Sequence, residues 1–340
     1  MDEPASWRLA EGDEIAPGRW AVEPIGGGRR YETYLAWDDD LHTLVVAKLL
    51  RPDQVADPAA LGVLEAEAAA LGALAHPHLV RGFGAVTSGP RPHVVLELVE
   101  GPRLSTLCRR YGIVAEQLLP LALSVCSALH YMHQRGFVHL DVKPRNIIMG
   151  AAPRLIDLSL ARPLDAARAI TAPTGTDRYM APEQCDPAAR RGEIGPPADV
   201  WGLGVTLHEA LAARMPWEEA STDRFPQLEA RPSRLEVDAD RSVTAAIESC
   251  LEWRPEDRPT ATELAACLEP AVDDLPAPRI GRFKPGSSWR RDAVRGLSPA
   301  SNPDLKRDSY GGSRSRRTGR RKPVSAGATG DESNREGGDR

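Results

Sequence analysis

The sequence predicts an α+β fold of two lobes, a small β-rich N-lobe and a larger α-helical C-lobe, followed by a disordered C-terminal tail. Three observations predict it. From Trp20 to Leu50 the apolar residues come in short strand-like runs broken by Gly26, Gly27 and Gly28. Beyond residue 100 they recur at helical spacing instead. Past residue 276 the periodicity vanishes, and Ser, Gly, Arg, Pro and Asp dominate 286–340, a composition that buries too little apolar surface to offset the entropy of ordering. A strand-rich part followed by a helix-rich part gives two lobes with a cleft between them. The expected boundaries are a polar lead-in over 1–17, a folded domain over 18–272 (N-lobe 18–99, C-lobe 100–272), and a basic tail over 273–340.

Each element has its own signal. Residues 58–75 are rich in Ala, Leu and Glu and read as helix, stopped by His76-Pro77 because proline disfavours helical geometry in the residue before it. His93–Val99 reads as a buried strand. Leu118, Leu121, Val125, Leu129 and Met132 share one helical face, which makes 116–134 a core helix that stops at Arg135-Gly136. Segments 198–213 and 243–252 also read as helices. Thr260 and Glu263 stand at capping-box spacing and open a last helix that Pro270 should end.

Of the 340 residues, 41% are apolar and 27% charged, ordinary for a globular protein able to bury a core. The net charge of −5 says little about partners, but it is unevenly spread. Residues 277–340 hold 16 Lys/Arg against 7 Asp/Glu, a net of +9, which leaves −14 on the rest. An acidic body with a basic tail hints at an interaction segment. The five cysteines, Cys108, Cys126, Cys185, Cys250 and Cys267, include no C-x-x-C pair, so neither a disulfide framework nor a zinc site is indicated; buried, inert thiols in a reducing compartment are expected. The acidic N-terminus lacks the apolar stretch of a signal peptide, and no apolar run approaches the ~20 residues of a membrane span. The expected location is cytoplasmic.

The chemistry concentrates in His139-Leu-Asp-Val-Lys-Pro-Arg-Asn146, placed between a core helix and the strand-like pair Ile147-Ile148. Asp141, Lys143 and Asn146 form a compact polar group of the kind phosphoryl transfer needs. A carboxylate orients the attacking hydroxyl and takes its proton, a cation steadies the moving phosphoryl, and an amide oxygen holds Mg²⁺. Eleven residues past Asn146, Asp157 follows the apolar Leu155-Ile156, where it can present an oxygen ligand to a hard cation.

These motifs resemble the eukaryotic-type (Hanks-type) serine/threonine protein kinase family in its bacterial form, over roughly residues 18–270. The resemblance implies the two-lobed protein kinase fold and ATP and Mg²⁺ as cofactors. Ile25 with Gly26, Gly27 and Gly28 resembles the start of the glycine-rich loop over the ATP phosphates. Lys48, in Val46-Ala-Lys48, resembles the strand lysine that contacts them, and Glu67 its helix partner. Glu97 to Val99 resembles the hinge that binds adenine through its backbone, with Leu96 guarding the rear pocket. The family's roles put Asp141 as catalytic base, Lys143 as the phosphoryl-stabilising cation, and Asn146 and Asp157 on the metal. Tyr179-Met-Ala-Pro-Glu183 resembles the end of the activation segment, Asp199-Val-Trp-Gly-Leu-Gly204 the helix anchoring the catalytic loop, and Arg258 the buried partner of Glu183. Lys143 together with Thr176 favours Ser/Thr acceptors on protein substrates.

The chain departs from the family pattern at three places. Tyr31 stands at the third glycine of the phosphate loop, so the loop should close less tightly or Tyr31 should cover the nucleotide. Leu140 replaces the arginine that receives an activation-loop phosphate, so Thr171, Thr174 and Thr176 are not expected to switch the enzyme strongly. Asp157-Leu158-Ser159 replaces Asp-Phe-Gly; it keeps the metal ligand, and Leu158 should still pack under the helix carrying Glu67. Two other readings are a pseudokinase acting as scaffold or binding module, and a small-molecule kinase of the same broad fold. The tail is expected to be a solvated appendage. Its functional alternative is docking to acidic partners or an anionic membrane through Arg314, Arg316, Arg317, Arg320, Arg321 and Lys322; nucleic acid is not the expected partner.

Overall fold

The computed structural model describes residues 5–111, 113–189, 192–217 and 224–275. The tail expected over 273–340, with its arginines, lies outside the described residues from 276 onward.

The N-lobe is one antiparallel sheet of six strands in the order β1-β2-β3-β4-β6-β5. These are β1 (Glu14–Ala16), β2 (Arg19–Gly27), β3 (Tyr31–Asp38), β4 (Thr43–Leu50), β5 (Gly82–Val86) and β6 (His93–Glu97). Its register pairs Thr33 with Lys48 and Lys48 with Val94. Because side chains alternate along a strand, Val46 and Lys48 share the face that looks onto the cleft. The run expected as strand to Val99 ends at Glu97, and the chain crosses to the C-lobe in an extended link.

Helix α1 (Pro58–Ala73) crosses the sheet between β4 and β5. Asp57 caps it, its carboxylate accepting from Ala59 N–H at 2.9 Å, and Pro58 occupies the first turn, where its missing N–H costs nothing. Ala60, Leu64, Glu67 and Leu71 recur at helical spacing along its buried face. Glu67 therefore points inward because of where it stands on the helix.

The C-lobe is built on α3 (Ala115–Gln134), whose five expected core residues are all buried. Around it lie α2 (Leu104–Tyr111), α4 (Leu164–Arg168), α5 (Pro182–Cys185), α6 (Pro196–Ala212), α7 (Pro226–Glu229), α8 (Arg241–Ser249) and α9 (Ala261–Asp273). Two two-stranded ladders line the cleft side, β7 (Phe137–Val138) with β10 (Arg162–Pro163) and β8 (Ile147–Ile148) with β9 (Arg154–Leu155). Leu118, Leu129, Leu203, Leu264 and Leu268 meet in the core. Burying each stabilises the fold by about 1.5–3 kcal/mol, and truncating one to Ala costs about 2–5 kcal/mol.

Three sequence expectations are corrected. The lead-in of 1–17 is built into the N-lobe: Leu9 and Ile15 are buried in its core, Trp7 packs against them, and residues 14–16 form the edge strand. A short polar-looking segment is thus anchored by three apolar residues. Pro270 does not end α9, which runs on to Asp273. So close to the C-terminus the proline forfeits only its own bond back to the preceding turn, while its carbonyl still accepts from Asp274 N–H at 3.1 Å. Cys267 is exposed, whereas the other four thiols are buried as expected; it lies between the inward-facing Leu264 and Leu268, on the outer face of α9. Among the described residues no helix is long and apolar enough to cross a membrane.

Candidate active site

Between the lobes a cleft is lined by Ile25, Thr33, Val46, Val80, Leu96, Leu98, Val99, Ile148 and Ile156, with Lys48, Glu97, Arg103 and Asp157 at its polar end and rim. An apolar slot with few polar groups suits a flat heterocycle. Of the residues expected at a nucleotide, Ile25, Leu96, Glu97, Val99 and Lys48 line it. Gly26, Gly27 and Gly28 do not; they form the end of β2 and the turn above. Gly27 sits where a Cβ would lie 2.8 Å from the Tyr31 carbonyl, so only glycine fits that turn unless the backbone shifts. The Glu97 carboxylate turns away, accepting from Arg81 N–H at 2.9 Å and meeting Arg154 at 3.3 Å, which leaves its backbone as the cleft-facing part.

Lys48 joins both sides of the cleft. Its Nζ lies 2.9 Å from both Glu67 oxygens and 2.8 Å from Asp157 Oδ1. Burial works against its charge, but the two carboxylates outweigh burial and hold its pKa above the ordinary lysine value. Burial likewise opposes ionisation of Asp157, yet the Lys48 ammonium holds its carboxyl well below the usual range. Asp157 has φ 68°, a left-handed conformation that costs a non-glycine residue about 1–3 kcal/mol. That conformation turns its carboxylate to Lys48 while Leu158 is fully buried, in the same core cluster as Leu64 and Leu71 of α1.

The catalytic-loop residues converge too. Asp141 is held by Lys143 Nζ at 2.6 Å and by Asn146 Nδ2 at 3.1 Å, and Thr176 Oγ1 donates to its other oxygen at 2.7 Å. Thr176 also accepts from Lys143. The loop is fixed from beneath by Asp199 on α6, whose carboxylate accepts the N–H groups of His139 (2.9 Å) and Leu140 (2.7 Å) and meets His133 Nε2 at 2.8 Å. Leu140, like Asp157, is left-handed, at φ 63°. Helix α6 can approach so closely because residue 202 is glycine; a Cβ there would fall 2.9 Å from the Val142 carbonyl.

Asn146 and Asp157 flank the β8–β9 ladder, which registers Ile147 with Leu155, and Ile156 N–H bonds to the Asn146 carbonyl at 2.8 Å. The Nδ2 of Asn146 is engaged with Asp141, so its amide oxygen is the atom left to offer. One carboxylate and one amide oxygen are a donor set that fits Mg²⁺, a hard cation that completes its shell with water and substrate phosphates. Arg258 grips Glu183 through two bonds of 2.7 and 2.9 Å, both side chains fully buried, which ties the end of the activation segment to the lower lobe.

Tyr31, at the third-glycine position, does not line the cleft. It belongs to β3, and its ring turns inward beneath the turn, 4.6 Å from Lys48 Nζ, with the residue only 9% exposed. Alternation along β3 accounts for this, since Tyr31 and Thr33 share the inner face. Sequence reading did not single out Thr33, Val80, Ile148 or Ile156 as cleft residues. The signal for Thr33 was its place two residues from Tyr31, but Ile148 and Ile156 carry no local mark beyond being apolar.

The family model described as protein kinase domain matches residues 21–267. The serine/threonine-protein kinase PknB of Mycobacterium leprae is 32% identical over 265 residues, covering 72% of this chain and 41% of that protein. The PknB of Mycolicibacterium smegmatis is 33% identical over 268 residues, with 72% and 41% covered. The mitogen-activated protein kinase kinase kinase 1 of Arabidopsis thaliana is 32% identical over 229 residues, with 66% and 37% covered. The chain thus spans about four tenths of the length of these curated relatives.

Proposed function

The chain belongs to the protein kinase family, and from that premise we propose that it is an ATP-dependent serine/threonine protein kinase, transferring the γ-phosphoryl of Mg-ATP to Ser or Thr hydroxyls of proteins. The observation that carries the reading is the grip on the Thr176 hydroxyl: Asp141 accepts its proton while Lys143 donates to its oxygen. An acceptor hydroxyl held the same way has its proton directed at a carboxylate and its lone pair free for attack. Asp141 is the base, and Lys143 steadies the transferring group. Lys48, fixed by Glu67, holds the α/β-phosphates, and the backbone of Glu97 and Val99 meets the adenine. Asn146 and Asp157 would hold the magnesium ion, which when bound would neutralise charge on the phosphates. Five free thiols, four of them buried, support a cytoplasmic site of action for this domain.

The test is transfer of labelled γ-phosphate from Mg-ATP to the chain itself or to a generic Ser/Thr substrate. Wild type should label and Asp141→Asn should lose at least about a hundredfold, the usual contribution of a positioned base. Equal labelling of the two proteins would remove Asp141 from the mechanism, and labelling of neither would point to a scaffold.

A further inference from the structure

The turn that carries the glycines is held by one side chain outside the cleft. Arg51, the residue after β4, donates Nε–H to the Gly28 carbonyl at 2.7 Å, and its backbone N–H bonds to the Arg30 carbonyl at 3.0 Å. It therefore grips the turn at two points, one on each side of Arg29. The guanidinium is itself held in place: Nη1 meets Glu32 Oε1 at 2.9 Å and the Ala5 carbonyl at 2.9 Å. Glu32 is 5% exposed, and its carboxylate also accepts from Trp7 N–H at 3.1 Å and from the Tyr34 hydroxyl at 2.7 Å. Trp7 in turn donates its indole N–H to the Leu50 carbonyl at 2.7 Å, immediately before Arg51, and the Arg91 guanidinium lies over its ring at 5.2 Å. Residues 5–9 thus pack against the N-lobe core through Trp7 and Leu9 and connect through Glu32 and Arg51 to the phosphate turn.

Nothing in phosphate binding itself needs this arrangement, since Arg51 points away from the cleft. It does supply what the turn lacks. With Tyr31 in β3, the turn is closed across its own ends by Gly28 N–H to the Tyr31 carbonyl at 2.9 Å, just beyond the ladder that pairs Gly27 with Glu32. A guanidinium fork is suited to lock a second carbonyl in place, being planar and pre-organised.

We propose that Arg51 is a positioning residue for ATP, acting through the Gly28 carbonyl, and that the N-terminal segment 5–9 is the strap that holds Arg51 in its working position. The proposal rests on the nucleotide-binding reading above. The strap sets how often the glycine turn is in its binding geometry, so it acts on nucleotide affinity rather than on the chemical step.

The experiment measures Mg-ATP affinity directly by titration calorimetry alongside KM and kcat, with thermal melting of each full-length variant. Arg51→Ala should weaken ATP binding and raise KM for ATP about tenfold, the scale of one charge-assisted hydrogen bond, with kcat within about threefold of wild type. Arg51→Lys, which has the charge but not the fork, should not restore affinity. Trp7→Ala or Glu32→Gln should raise KM in the same direction by a smaller factor. Combining either with Arg51→Ala should add less than the product of the two effects, because all three act on one connection. Variants that melt lower with unchanged ATP affinity would reduce Arg51 to a structural residue and overturn the proposal, and full multiplicativity would detach the strap. If the chain binds ATP and Arg51→Ala weakens it, but no phosphate is transferred, the kinase reading fails and this one stands.

Discussion

Tyr31→Phe should make the protein more stable, although tyrosine looks like the residue with more to offer. In the folded chain the Tyr31 hydroxyl is buried and, among the described residues, has no hydrogen-bond partner. Burial, reinforced by the nearby Glu67 carboxylate, pushes its pKa up to about 12, so it stays neutral across the working range and cannot offset its burial by ionising. A buried hydroxyl without a partner costs about 1–3 kcal/mol relative to leaving it in water. Phenylalanine removes that cost and keeps the ring against Lys48, so about 1–3 kcal/mol of stability should be gained. At roughly 2–4 °C per kcal/mol, the melting temperature should rise by about 2–12 °C. Tyr31→Ala supplies the opposite sign: it deletes the ring, leaves a cavity worth about 3–5 kcal/mol, and removes the aromatic face from Lys48. Calorimetric melting of the nucleotide-free protein at neutral pH reads both. A lower melting temperature for Tyr31→Phe would mean that the hydroxyl is satisfied in the free protein, and the account of an inward, unpaired phenol would have to be given up.

Glu67→Gln should leave Lys48 with Asp157 as its one carboxylate partner, and kcat/KM for ATP should fall about tenfold or more, read by steady-state kinetics. Glu183→Gln strands a fully buried guanidinium and should cost about 3–5 kcal/mol, a large part of the 5–15 kcal/mol typical of a domain, seen as a drop in the denaturant midpoint. Gly202→Ala should push the catalytic loop off α6 and lower kcat with little change in KM for ATP, since the added methyl meets the Val142 carbonyl. Acid should destabilise the protein from about pH 6.5 downward, because burial holds the folded pKa of His93, His208 and His76 below the unfolded value near 6.5. The unfolded chain then takes up protons first, so the stability is fully present above that pH and is lost as pH falls. His93 should account for part of it: with Nδ1 at 2.7 Å from the Arg91 carbonyl and Nε2 at 2.9 Å from Arg19, a second proton would face a guanidinium, and His93→Gln should flatten melting temperature against pH.

What could be read from the sequence was what is contiguous or periodic. The catalytic loop lies within eight residues, so its chemistry is visible as a string. The buried face of α1 shows itself through Ala60, Leu64 and Leu71, and Glu67 falls on that face. What could not be read depends on contacts distant along the chain. Lys48 meets Asp157 across 109 residues with no local signature, whereas its pairing with Glu67 across 19 was implied by the family resemblance and not by the spacing. Arg51 reaches back 23 residues to Gly28 and 46 to Ala5, from a position that reads as an ordinary basic residue after a strand. The direction of Tyr31 was open because a missing glycine tells only that the turn is altered. The strand alternation that decides the matter needs a register, and the register is set by the pairing of β3 with β4.

Four buried carboxylates explain why the three departures from the family pattern leave the site assembled. Glu67 orients Lys48, Asp199 holds the backbone of the catalytic loop, Glu183 anchors the activation segment through Arg258, and Glu32 fixes Arg51 behind the phosphate turn. A buried charge is tolerated only with its partner in place, so each of these acids specifies one loop position and penalises alternatives. Tyr31, Leu140 and Leu158-Ser159 change groups these carboxylates do not touch through side chains. Leu140 shows the consequence most clearly. Its backbone N–H still bonds to Asp199 at 2.7 Å, while its side chain is 3% exposed in an apolar cluster with Val138 and Trp201. A cation at this position would be available to a phosphate on the activation segment, but an apolar side chain is not. The loop geometry is therefore set by the acid beneath it rather than by a phosphate above it. Replacing Thr171 and Thr174 with Ala should accordingly change kcat/KM by less than about threefold, whereas Asp199→Asn, which removes the charge under two backbone N–H groups, should cost far more. A large loss in the threonine variants would show that a cation elsewhere has taken over the role of the missing arginine.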